Sequence, residues 1–83
     1  MFIHLGNDVV ITSQSLIAII NIEDPWSEDI QDAIDMAEME RKLVTISDQE
    51  KKKALVICDD RVYISPISSQ TLYKRANNFY GEV

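Results

Sequence analysis

Residues 53–65, with the sequence KALVICDDRVYIS, decide the fold because they contain two β-strand patterns separated by a short turn. Residues 53–58 end in the apolar run ALVIC, and residues 61–65 alternate between apolar and polar side chains. The pair Asp59-Asp60 has the length of a two-residue hairpin turn. Pro66 then ends the second strand, because proline has no backbone N–H for the ladder. This stretch therefore predicts two adjacent antiparallel strands.

A helix is predicted upstream of this hairpin, over residues 25–42. Its apolar side chains share one helix face at i, i+3, i+4, i+7 spacing: Ile30, Ala33, Ile34 and Ala37. Its acidic side chains fill the opposite face, which predicts a surface in water: Asp29, Asp32, Asp35 and Glu38. Either Asp24 or Ser27 fits the N-cap position. Arg41 and Lys42 suit the last turn, where cations are favourable.

The N-terminal residues predict two further strand regions. Residues 2–12 have the pattern of a hairpin, because apolar strands flank Gly6-Asn7-Asp8 and both Gly and Asn tolerate a positive φ. Residues 16–22 are nearly all apolar. Such a strand is either central in its sheet or covered by a neighbouring subunit.

Two more elements complete the predicted order βββ-α-βββ-α. Residues 43–47 form a strand, and residues 69–79 form a short terminal helix that Ser68 or Ser69 caps. The connections between strands are of hairpin length, so we expect an α+β fold with mostly antiparallel pairing in two small three-stranded units. The length of 83 residues predicts one domain over residues 1–83.

The composition excludes several classes of protein. One cysteine excludes a disulfide scaffold and a cysteine-based zinc site, and one histidine excludes a multi-histidine metal site. No nucleophile or carboxylate has a spacing that ties it to His4, so we expect no catalytic residue, no metal ion and no cofactor. The apolar runs are too short to span a bilayer, and the N-terminus lacks the features of a signal peptide. We therefore expect a cytoplasmic chain without membrane contact.

The charge is segregated along the chain. Residues 1–40 carry nine acids and no Lys or Arg, whereas residues 41–83 carry eight bases and five acids, for a net charge of −6. The mean charge argues against nucleic acid, but contact energy depends on the local patch. Lys51-Lys52-Lys53 fits phosphate contacts at a hairpin end, and it equally fits the commoner case of a solvated turn. Other basic residues would extend this patch if they lie beside it: Arg41, Lys42, Arg61, Lys74 and Arg75.

Three stretches resemble the bacterial Rem-type regulators of extracellular matrix (biofilm) genes. Residues 2–6, 9–10 and 16–19 are similar to the opening hairpin and third strand of that family. Residues 51–57, KKKALVI, resemble its basic hairpin and the apolar strand that follows. Residues 62–72, VYISPISSQTL, resemble its closing strand and terminal helix, most of all in the RemB branch.

The resemblance implies a small subunit that assembles into a ring-like homo-oligomer and binds double-stranded promoter DNA. In the family, basic residues for this contact lie in the loop before the third strand and in the hairpin before the fifth. The matching positions here are Ser13, Gln14 and Ser15, which offer neutral hydrogen bonds, and Lys51, Lys52 and Lys53, which keep the positive charge. Glu50 departs from the basic pattern of the hairpin.

Two functions from different classes follow. The first is a DNA-binding transcriptional regulator of matrix genes, in which homo-oligomer formation repeats a weak lysine contact many times. The second is an oligomeric protein-interaction module without DNA binding that modulates a related, more basic regulator; the net charge of −6 and the lack of arginine at 13–15 motivate it. An enzyme is the third and least favoured, because it would need a pocket that holds His4 beside a carboxylate.

Overall fold

The computed structural model describes residues 1–23, 27–46 and 52–81, with side chains described up to residue 77. The elements in chain order are β1 (Phe2–Gly6), β2 (Val9–Thr12), a 3₁₀ turn (Ser13–Ser15), β3 (Leu16–Asn21), α1 (Glu28–Met39), β4 (Leu43–Thr45), β5 (Ala54–Cys58), β6 (Val62–Ser65) and α2 (Ser69–Gly81). The predicted order βββ-α-βββ-α and the α+β class are confirmed.

The strands form one two-stranded and one four-stranded sheet, so the prediction of two three-stranded units is wrong. Strands β1 and β2 pair with each other, and the larger sheet has the order β3-β5-β6-β4. The 3₁₀ turn separates β3 from the hairpin, and β3 pairs antiparallel with β5 instead. The β5–β6 pair is antiparallel as predicted, whereas β4 runs parallel to β6.

Strand β3 lies at an edge of the larger sheet, so the alternative that made it central is wrong. A β-bulge between Leu16 and Ala18 places Ile17 outside the regular register, and Ile17 is 65% exposed. Further along, the Tyr73 hydroxyl of α2 donates a hydrogen bond to the Ile19 carbonyl at 2.5 Å. The outer edge of β3 is therefore tied to α2.

Side chains alternate between the two faces of the larger sheet, and each face has its own covering layer. On one face, Ala54, Val56 and Cys58 pack with Leu72 of α2 and with the inner side of the β1–β2 hairpin. On the other face, Leu55 packs with Ile22, Ile34 and Ile64 under α1. Helices α1 and α2 thus lie on opposite faces of one sheet.

The turn between β1 and β2 has the backbone that its sequence predicts. Gly6, Asn7 and Asp8 have φ values of 119°, 47° and 68°. A Cβ added to Gly6 would meet Pro66 Cγ at 3.3 Å, so the turn packs closely on the chain that follows β6. The Ser65 hydroxyl, fully buried, donates to the Leu5 carbonyl at 2.7 Å and fixes β1 against this end of the sheet.

The ends of α1 differ from the prediction. Ser27 is the N-cap and accepts a hydrogen bond from the Ile30 N–H at 3.4 Å, while Asp24, the other candidate, lies outside the described residues. The helix ends at Met39, and Arg41 adopts a φ of 60° just beyond it. Arg41 and Lys42 are therefore not in the last turn, because the left-handed residue redirects the chain into β4. The cap of α2 is Ser68, whose hydroxyl oxygen accepts from the Thr71 N–H.

Candidate nucleic-acid interface

Two of the three predicted lysines lie at the start of the central strand β5. The Lys53 N–H donates to the Ser65 carbonyl at 2.9 Å, and the Lys53 carbonyl accepts from the Ile22 N–H at 3.1 Å. The backbone at this position is therefore fixed to both neighbouring strands. The Lys52 side chain is exposed and that of Lys53 is half-buried. Lys51 lies outside the described residues.

Other loops meet at this end of the sheet and set its charge. The Asn7 side-chain amide donates to the Ile46 carbonyl at 3.0 Å, which brings the β1–β2 turn beside the end of β4. The exposed acids Asp8 and Glu23 belong to this end, since Glu23 follows the residue paired with Lys53. Lys53 thus stands on hydrogen-bonded backbone with acids nearby, so a phosphate contact depends on how far the side chains of Lys52 and Lys53 extend from the surface.

The predicted segment 13–15 lies at the opposite end of the same sheet. The Asp59 N–H donates to the Ser15 carbonyl at 2.9 Å, and the Ser13 N–H donates to the Met1 carbonyl at 2.8 Å. Strand β5 separates Asp59 from Lys53 by six residues, which is roughly 20 Å of extended chain. One subunit therefore does not bring its two predicted contact segments together.

The hydroxyl of Ser15 already has structural partners. It donates to the Thr12 carbonyl at 3.0 Å and is hydrogen-bonded to the Cys58 thiol. Burial raises the pKa of that thiol, the bond to Ser15 lowers it, and the charges of Asp60 and Asp59 raise it further. Ser15 would have to give up the Thr12 bond to donate to a phosphate. Gln14, next to it, is exposed.

The parallel pairing of β4 with β6 forms a separate basic cluster of residues that we expected to extend the lysine patch. The Val62 N–H donates to the Lys42 carbonyl at 2.9 Å, so Arg41 and Lys42 lie next to Arg61. This is the end of the sheet opposite to Lys53, and these residues do not extend the lysine patch. Lys42 Nζ lies 3.6 Å from Glu40 Oε1 in a half-exposed ion pair. No local sequence signal indicates parallel pairing, so the cluster was not recognisable in advance.

Helix α2 carries the remaining bases. Lys74 and Arg75 are exposed, and Arg75 Nη1 donates to the His4 carbonyl at 2.7 Å. His4 itself lies on the exposed outer face of the hairpin, opposite Val10. Within the described ranges, no group of three His, Cys, Asp or Glu residues is placed to hold a metal ion. Among the described helices, none is both long enough and apolar enough to cross a bilayer.

Comparison with known proteins identifies the family. The family model described as "Extracellular matrix regulatory protein A-like" (RemA-like) matches residues 2–76. The chain is also 30% identical over 76 residues to "Extracellular matrix regulatory protein B" of Bacillus subtilis (strain 168), covering 92% of this chain and 90% of that protein. Both names describe regulators and not enzymes. The resemblance seen in the sequence is thus confirmed, and the chain belongs to the RemA-like family of extracellular matrix regulatory proteins.

Proposed function

We propose that this chain is a DNA-binding transcriptional regulator of extracellular matrix genes that acts as a ring-like homo-oligomer. Its family membership supports the regulatory role. The observation that carries the DNA contact is the placement of Lys53, next to the exposed Lys52, on backbone that is hydrogen-bonded to strands on both sides. Because this backbone is ordered before binding, a phosphate contact there costs little main-chain entropy. The proposal includes a cytoplasmic location, where promoter DNA is found.

The lysines contact phosphates and position the protein without reading bases. A lysine offers a point charge, whereas the planar guanidinium of arginine binds phosphate oxygens in pairs. Lys51, Lys52 and Lys53 of one subunit therefore bind weakly. Repetition of the patch around an oligomer makes later contacts intramolecular, provided that several subunits reach the same DNA.

The 13–15 segment supplies a second, neutral contact in this proposal. Gln14 is its most accessible member, and Ser13 is half-buried. Ser15 contributes mainly by fixing the 3₁₀ turn through its bond to Thr12. Since this segment lies at the far end of the sheet from the lysines, the two contacts reach separate phosphates along the DNA.

The salt dependence of DNA binding tests the proposal. Each phosphate contact contributes about −0.9 to the slope of log K against log salt, so Lys51→Ala, Lys52→Ala and Lys53→Ala together should flatten the slope by about two to three for each subunit that contacts the DNA. Lys52→Ala and Lys42→Ala form a matched pair of single variants, because each removes one positive charge and Lys42 lies at the opposite end of the sheet, paired with Glu40. An unchanged slope in the triple variant would remove the lysines from the interface.

The second candidate is an oligomeric protein-interaction module that modulates a related regulator without binding DNA. The net charge of −6 and the five acids of α1 favour it. A mobility-shift assay on intergenic DNA at low salt separates the two functions. Complete absence of a shift, with the oligomer intact, would favour the interaction module.

A further inference from the structure

We propose that subunits associate head to tail, with the outer face of α1 in one copy docked on the outer face of α2 in the next. This inference rests on the homo-oligomer of the proposed function and assigns the surfaces that build it. The partner is therefore a second copy of this chain. Charge complementarity between the two helices, combined with matching apolar groups, carries the inference.

The outer face of α1 has apolar side chains where the helix should be fully polar. Met36 is 57% exposed and Met39 is 80% exposed, and the two lie three residues apart on the side opposite the buried Ile34. Asp32 and Asp35 lie beside them at helical spacing. Methionine side chains adapt well to a partner surface, and large exposed apolar groups at a helix crest contribute nothing to the fold of this subunit.

The outer face of α2 complements this surface. The helix Ser69–Gly81 contains Lys74 and Arg75 and no acidic residue. Tyr73 beside them is 47% exposed, which offers an aromatic ring to methionine sulfur. Both flanking side chains are already fixed, because Tyr73 donates to the Ile19 carbonyl and Arg75 to the His4 carbonyl. Folding already orders these two side chains, so docking loses little of their conformational entropy.

The position of the two helices determines the mode of association. They cover opposite faces of the sheet, so one subunit cannot pair its own α1 with its own α2. A two-fold contact through α1 would place acid against acid, and a two-fold contact through α2 would place base against base. Only a head-to-tail contact joins the acidic helix to the basic one, and such contacts form rings or open chains.

Charge reversal on either helix tests the contact. Asp32→Lys and Lys74→Glu should each weaken self-association by about tenfold or more, because each places like charges together. The double variant Asp32→Lys/Lys74→Glu should recover most of the lost association. Sedimentation velocity over a concentration series measures this, and circular dichroism verifies the fold. Glu23→Lys is the matched control, since it changes the net charge equally at an exposed acid outside both helices.

A mixing experiment then distinguishes head-to-tail contact from every two-fold contact. The Asp32→Lys chain keeps an intact α2 face, and the Lys74→Glu chain keeps an intact α1 face. An equimolar mixture should therefore recover the wild-type size. The two intact faces keep the original charge pair at one junction, and the two altered faces pair the reversed charges at the next, whereas a two-fold contact between unlike chains would stop at a dimer. Single variants that keep the wild-type mass, or a double variant that fails to recover, would overturn the inference even where wild-type oligomers bind DNA. A wild-type chain that stays monomeric would overturn both this inference and the proposed oligomer.

Discussion

The two layers that cover the larger sheet are built from the same strands and yet differ in depth and charge. The α2 layer includes the β1–β2 hairpin, and among the described residues its buried cluster holds eight apolar residues, whereas the cluster under α1 holds four. The α2 layer is also tied to backbone carbonyls by the side chains of Ser65, Tyr73 and Arg75. Helix α1 carries five acids, and α2 carries two bases.

This difference indicates that the two layers have different roles. The α2 layer holds the fold together, because its side chains join the hairpin, the helix and the sheet in one packed unit. The α1 layer rests on the sheet mainly through Ile30, Ile34 and Ala37 and presents an acidic surface with exposed methionines. Damage to the first layer should therefore affect stability most, and changes on the surface of the second should affect association.

The largest effect on stability is expected from the centre of the α2 layer. Leu72→Ala removes a fully buried side chain that packs against both the hairpin and the sheet, and it should lower the free energy of unfolding by about 3 kcal/mol. Ile34→Ala in the thinner α1 layer should cost about 2 kcal/mol. Urea denaturation of both variants measures the difference. Equal losses, or a larger loss at Ile34, would contradict the larger contribution of the α2 layer to stability.

A smaller effect is expected from the Ser65 hydroxyl. It donates to the Leu5 carbonyl and accepts from the Ile67 N–H at 3.0 Å, so Ser65→Ala leaves two backbone groups without this partner. The expected loss is about 2 kcal/mol. Ser27→Ala, which removes the cap of α1, should cost about 1 kcal/mol. Thermal unfolding of the pair ranks them, and a Ser65 variant as stable as wild type would show that the hairpin is not held by this bond.

The smallest effect is expected from alkaline pH, and it should concern the α2 layer. Burial raises the pKa of the Cys58 thiol in the folded chain, so the folded state keeps a proton that the unfolded chain loses first. The free energy of unfolding should therefore fall as the pH rises above about 8.5, the ordinary pKa of a thiol. Melting temperatures between pH 8 and 10 should fall less in Cys58→Ala than in wild type. An identical pH dependence in the two proteins would remove Cys58 as the cause.

Most of the fold was predictable because local patterns specify it. The hairpin turn at Gly6-Asn7-Asp8 was predicted from residues that accept a positive φ, and all three adopt one. The buried side of α1 was predicted from apolar spacing, and Ile34 and Ala37 are buried as expected. Ala33 is exposed instead, because the stripe that contacts the sheet is narrower than the sequence pattern.

The pairing of distant strands was not predictable from local patterns. The β3–β5 and β4–β6 pairs join segments that are far apart in sequence, and neither connection has a length that specifies its partner. The arrangement of the candidate site was not predictable for the same reason, since it depends on which strands pair. Its residues were grouped by charge alone, whereas the strand order places Lys53 at one end of the sheet and Arg61 at the other. Lys51 lies outside the described residues, so the phosphate contact predicted for it stays a prediction.

The hydrogen bond from Tyr73 to Ile19 has a consequence for the open edge of the larger sheet. In the β3–β5 ladder, the Ile22 N–H points toward β5, so the carbonyl of Ile19, three residues earlier, points away from it. An open carbonyl on an apolar edge strand invites the edge of another molecule and leads toward amyloid-like sheet extension. The phenol occupies that acceptor, and the bulge at Ile17 bends the strand beside it. The phenol and the bulge thereby protect this edge against pairing with a strand of another molecule.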